Sequence, residues 1–224
     1  MSALRVRLTS LAFVTAGLLF VLYPALRPFS SEVGMQGAAA FGSTEWIVAH
    51  SFAIVGFVLV VLGLFGLYLL LQTTRGERPA LFGLLLSWVG VGLVLPFYGA
   101  EVFGLHAIAQ EALKENNSGL ISLASAVRGE PGIWFILAGL VLLGIGAIFS
   151  AAAIWRSRTL VRWIGVPLAS GFALYIPQYA APQYLRVAHG LLIALACILL
   201  AWNLMRASVR DAAVNVETRM ALPS

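Results

Sequence analysis

The chain has 224 residues, of which 61% are hydrophobic and only 10% charged, and its formal charge is +5. Soluble domains carry roughly 25% charged and roughly 45–50% apolar residues, so this composition excludes an ordinary water-soluble fold and makes lipid the solvent. The positive excess does not signal nucleic acid, because the basic residues form short clusters between apolar stretches and no run or face.

A helix needs about 20 mostly apolar residues to cross a hydrocarbon core of roughly 30 Å. Six stretches qualify: 8–26, 46–71, 80–103, 132–155, 161–178 and 184–205. The expected fold is therefore all-α, a polytopic six-helix transmembrane bundle over 1–206 followed by a polar tail over 207–224 that is expected to be mobile. The first stretch follows Arg5 and Arg7 like a secretory signal. Arg27-Pro28-Phe29 then succeeds it, and the small residues Ala38-Ala39-Ala40 come too late for cleavage, so it is read as an uncleaved helix. Between the third and fourth stretches, 107–131 carries Glu111, Lys114 and Glu115. Ser118 is expected there to cap a short amphipathic helix on the outer face. The fifth stretch is short and holds Pro167 and Pro177, which predicts a kink or tilt.

Alternate connections divide the basic residues unevenly. Ten lie on one side (Arg5, Arg7, Arg75, Arg78, Arg156, Arg158, Arg162, Arg206, Arg210 and Arg219). Four lie on the other (Arg27, Lys114, Arg128 and Arg186), which completes the chain's 14. The richer side is read as cytoplasmic, with both termini inside a plasma or inner membrane. Trp155, Trp163 and Trp202 then fall at the inner boundary, and Tyr23, Trp46, Trp134, Tyr175, Tyr179 and Tyr184 at the outer one, as interface anchors. A faint repeat suggests three helical hairpins. Odd spans share glycine followed by Tyr and Pro (Gly17, Tyr23, Pro24; Gly92, Pro96, Tyr98; Gly171, Tyr175, Pro177), and the second and sixth share Val48-Ala49-His50 and Val187-Ala188-His189. The 22 glycines suit close helix contact, and Gly146 with Ser150, four residues on, is one candidate contact of small residues. The single cysteine, Cys197, permits neither an internal disulfide nor a cysteine metal motif.

Ionisable groups inside spans are the informative ones, because they are costly in hydrocarbon. His50 lies four residues past Trp46, about 6 Å into the membrane, and His189 five past Tyr184, about 7.5 Å. Glu101 lies about 31 Å along the third span from Ala80, with Tyr98 one turn below and His106 just beyond. All cluster toward the outer side. Glu101 and His106, five apart, are about 140° apart round a straight helix, so both face inward only if the helix is broken near Gly104. The expected site is a polar, outward-facing pocket between the second, third and sixth spans, with His50, Glu101 and His189 at its centre and Tyr98 and His106 at its rim. It would bind or pass a small ligand. Two other readings stand beside it. His50, Glu101 and His189 could hold Zn²⁺, or the two histidines a haem, in a redox protein or enzyme. Alternatively the chain is structural, binding a membrane-protein partner or its own copy, with no small-molecule site. There is no Gly-x-Ser-x-Gly, His-Glu-x-x-His or phosphate loop, so no catalytic residue is assigned.

The size and the six-helix, ends-inside plan resemble the substrate-capture subunits of energy-coupling-factor vitamin importers, with Ala12 and Ala16 standing for their small-residue contact on the first helix. The resemblance is architectural and implies ligand binding near the outer face.

Overall fold

A computed structural model describes the backbone of residues 2–220 and the side chains through Ser208; the side chains of Arg210 and Arg219 lie outside the described residues. Every regular element among them is helical. Ser2 starts α1 (Ala3–Leu26) by accepting from the Arg5 amide, and Ser43 starts α3 (Thr44–Leu71) by accepting from the Trp46 amide at 3.1 Å. Between them lies a short α2 (Gly34–Phe41). α4 (Glu77–Gly99) passes through a π-helical turn at Ala100–Gly104 into α5 (Leu105–Lys114) as one continuous rod. A 3₁₀ turn at Ser118–Leu123 and the four-residue α6 (Ala124–Val127) lead to α7 (Gly132–Ser157). α8 (Gly165–Ala173) is short, and α9 runs Gln183–Met220.

Five helices are long and apolar enough to cross a membrane: Ala3–Leu26, Thr44–Leu71, Glu77–Lys114, Gly132–Ser157 and Gln183–Ser208. Four of the expected spans lie within them almost residue for residue, and the third continues well beyond its expected end. The fifth expected span, 161–178, is instead α8 between 3₁₀ turns at Arg162–Ile164 and Pro177–Ala180. The prolines fix these limits. Pro167 occupies the first turn of α8, where amide hydrogens have no intrahelical partner, while Pro177 cannot donate to the carbonyl of Ala173, four residues earlier, so the helix stops there. This segment runs antiparallel to α7: Gly165 lies against Ala151, and Gly144 against Phe172 and Ala173. Over 207–220 the backbone continues α9 as helix.

The long helices and α8 pack in a closed ring in chain order, α1 on α3, α3 on α4, α4 on α7, α7 on α8, α8 on α9 and α9 back on α1. Each is apolar all round, since one face meets the bundle and the other meets lipid. The faces differ in size instead of polarity. α1 turns Ala12, Phe13, Ala16, Gly17 and Phe20 inward and exposes Leu4, Leu8, Leu11 and Leu18. Small inward residues let backbones approach where water supplies no drive between helices. α4 and α7 approach closely, and a Cβ on either Gly90 or Gly139 would lie 2.6 Å from the other's carbonyl oxygen.

A second, smaller core caps one end. Ala38, Phe41, Trp46, Leu105, Ala109, Ala112, Ile121 and Ala124 bury one another there. Residues 34–41, 105–114 and 118–127 thus form a helical lid over the ring. Asn117, one residue before the expected cap Ser118, closes the 3₁₀ turn by accepting from the Gly119 amide at 3.1 Å. Trp46 is not an interface anchor: it is fully buried as the floor of this lid, and Tyr23 and Tyr175 are buried in the bundle. Trp134, Tyr184, Trp155, Trp163 and Trp202 are exposed, as anchors facing lipid should be.

Candidate functional site

The seam between lid and ring holds the polar groups. His50 lies on α3, seven residues after the Ser43 cap, and is completely buried. Its Nδ1 is 2.7 Å from the Trp46 carbonyl oxygen. A carbonyl only accepts, so Nδ1 carries the hydrogen, and in the singly protonated ring Nε2 is an acceptor. That Nε2 has no hydrogen-bond partner, nor does the buried indole N–H of Trp46. The two rings lie 4.0 Å apart, with Tyr23 at 5.2 Å and Tyr98 at 6.4 Å from His50. One acceptor and one donor therefore sit together among aromatic walls, and buried polar groups are rarely left so.

Tyr98 is buried, and its hydroxyl bonds that of Tyr179 at 2.9 Å. One turn on, the π-helical turn presents Glu101. In an i→i+5 turn residues five apart stack on one face, which brings Glu101 and His106 both toward the lid. Glu101 Oε1 accepts from Arg128 Nη2 at 2.9 Å and Nε at 3.0 Å. His106 Nδ1 donates to the Phe41 carbonyl at 3.0 Å, and Gln110 to the Gly42 carbonyl at 2.8 Å, so α5 is tied to the end of α2.

Arg128 continues to Glu32 at 2.6 Å, and Glu32 to Arg27 at 2.5 Å. The result is an alternating chain, Arg27–Glu32–Arg128–Glu101, lying across the seam. Its guanidiniums stack on the lid: Arg27 is 5.1 Å from the Trp46 ring, and Arg128 is 5.2 Å from Phe41 and 5.9 Å from Trp46. Burial alone would raise the Glu32 carboxyl, but the bonds and charge of Arg128, then of Arg27, outweigh it and hold it below the ordinary carboxylate range. Burial likewise opposes the charge on Arg128, and Glu101 and Glu32 overcome it and raise its pKa.

Thus His50, Tyr98 and Glu101 gather at the seam, and His106 joins them as a tether of the lid. His189 stands apart on α9, where its Nε2 donates to the Gly171 carbonyl at 2.6 Å and its ring lies 5.3 Å from Tyr175. The crevice beside it, bordered by Tyr23, Gln178 and Arg186, measures about 10 Å³, room for at most a single water. Among the described residues no three of His, Cys, Asp and Glu are grouped to hold a metal ion. The two imidazoles have different ring neighbours, and His189 donates to Gly171. The groups not expected from sequence are Arg27, Glu32, Arg128 and Trp46. The only sequence signal for them was the presence of arginines on the side otherwise poor in them. No protein-family model, no curated protein and no solved structure matches the chain.

Proposed function

We propose that this is a six-crossing membrane protein, both termini cytoplasmic, that captures a small uncharged ligand from the outer side at the seam beneath its lid, where opening of the lid makes the room. The observation that carries the reading is the buried, unpartnered pair of His50 Nε2 and Trp46 Nε1 between the rings of Tyr23 and Tyr98. A hydroxyl or amide donates to the first and accepts from the second, and an aromatic or aliphatic body suits the walls. The charge chain holds two arginines against two glutamates, so it offers no net charge to an ionic ligand. His50 is closed off, which makes lid movement about the π-helical turn the entry step; such turns are frequent at functional sites. Capture, more than passage, is what the geometry favours: beyond His50, the buried polar residues among the described residues are only Thr9, Ser10, Ser87 and Ser150.

Two arrangements support the topology. The broken segment 161–180 runs back along α7 and counts as the sixth crossing. The four basic residues assigned outside are all engaged, Arg27 and Arg128 in the chain, Lys114 with Glu111, and Arg186 with the carbonyls of Ala181 and Tyr179, whereas Arg5, Arg7, Arg75, Arg78, Arg156, Arg158, Arg162 and Arg206 have no carboxylate partner among the described residues. The hairpin repeat gains support from Tyr23 against His50 and Tyr175 against His189, each an edge-on pair at 5.2–5.3 Å.

The test is thermal unfolding of the purified protein in detergent with phenol and benzamide as probes, each variant referred to its own melting temperature. A concentration-dependent rise, abolished in His50→Phe and Trp46→Phe and indifferent to chelators, is expected. No response to either probe, or an equal rise in both variants, would remove the seam as a binding site.

A further inference from the structure

A separate groove opens on the opposite half of the bundle, between α1 and α3. It encloses about 630 Å³ and runs from Arg5, Leu8 and Ala12 on α1 to Leu62, Phe65 and Gly66 on α3. Its floor exists because the chain is small there: Thr9, Ala12 and Gly66 are buried at the contact line, while Leu8, Leu11, Leu62 and Phe65 stand exposed as walls. At its N-terminal end the exposed Arg5 has no carboxylate partner among the described residues.

We propose that this groove holds one anionic phospholipid, its acyl chain along the apolar walls and its phosphate on Arg5. Length selects this occupant. The groove extends from Arg5 to Thr15 and from Leu59 to Leu69, ten residues on each helix and about 15 Å, half of a hydrocarbon core of roughly 30 Å. A partner helix would need the full thickness, but a lipid occupies one leaflet. Charge selects the headgroup, because a cation at the surface end of an apolar cleft complements a phosphate. Phosphatidylcholine cancels that phosphate with its own ammonium, and phosphatidylglycerol leaves it free. The assignment holds whichever face is cytoplasmic, and it is independent of the seam beneath the lid.

The experiment is native mass spectrometry of the detergent-solubilised protein with equimolar phosphatidylglycerol and phosphatidylcholine of identical acyl chains. The wild type is expected to retain phosphatidylglycerol about fivefold over phosphatidylcholine, the value of one basic side chain at an anionic surface. Arg5→Gln, at an exposed position, loses that preference, and Arg7→Gln keeps it. Thr15→Phe, which fills the deep end, loses retention of both lipids; should it fail to fold, Leu8→Trp on the exposed wall replaces it. Millimolar glycerol phosphate leaves the lipid bound, because a headgroup without a chain gains nothing from the groove. Equal loss in Arg5→Gln and Arg7→Gln, full retention when the groove is filled, displacement by glycerol phosphate, or a shift from dimer to monomer without change in lipid would each overturn the proposal.

Discussion

Arg128→Ala removes the cation that two carboxylates share. Arg128, Glu32 and Glu101 are 28%, 27% and 15% exposed at their side chains, so the chain is shielded but not dry. At an effective dielectric near 20, a unit pair at the 2.9 Å of Arg128–Glu101 attracts with about 6 kcal/mol, and desolvation offsets roughly half. A loss of about 3 kcal/mol follows, since Glu101 is left buried without its partner. For a chain of this size that corresponds to a fall of about 6–12 °C in melting temperature. Glu101→Gln in the same background removes the orphaned charge and should restore about half of the loss. Detergent-solubilised thermal unfolding of the two single variants and the double variant measures this, and hydrogen exchange over 34–41 and 105–127 localises it to the lid. A drop under about 1 °C, or a double variant no better than Arg128→Ala, would refute the idea that this chain closes the seam.

Other consequences are as specific. Gly90→Ala pushes a methyl against the Gly139 carbonyl and should cost about 1–3 kcal/mol, whereas Gly92→Ala, with open space around its Cβ, should be neutral or gain up to about 1 kcal/mol; thermal unfolding compares them. Glu32 has a depressed native pKa, so its contribution is present above the ordinary value of 4.5 and fades as pH falls through and below it; the stability difference between wild type and Glu32→Gln should shrink over that acidic range and persist at neutrality. Cys197 is buried, so impermeant thiol reagents should leave the wild type unlabelled, while Thr159→Cys and Ala181→Cys label from opposite faces of the membrane. Labelling from one face would eliminate the sixth crossing.

Membrane class and most span limits were legible because hydropathy is a sum over local residues, and no contact need be known. The fifth span shows where that sum fails: residues 161–178 are apolar enough, but Pro177 removes one donor and ends the helix at Ala173. Counting along helices placed Tyr98, Glu101 and His50 near one level, and it allowed Glu101 and His106 to share a face only with a break near Gly104, where the π-helical turn lies. The lid could not be read. Ala38, Ala109, Ala112 and Ala124 are unremarkable singly and become a core only when three distant segments meet. Arg128 pairs with a glutamate 27 residues earlier in sequence and another 96 earlier, and no periodicity encodes such partners. Trp46 fitted an interface anchor by position, and only burial on every side removes it from that role.

The π-helical turn makes the junction of bundle and lid a matter of phase. Below Ala100 the rod obeys the ring, with Tyr98 turned to its interior; above Gly104 it obeys the lid, with His106 and Gln110 fastened to the end of α2. One surplus residue reconciles the two. Excising a single residue from 100–104 would rotate everything beyond by about 100°, swinging both tethers off their carbonyls while every apolar span kept its length. The orientation of the lid on the ring thus depends on the winding of these five residues.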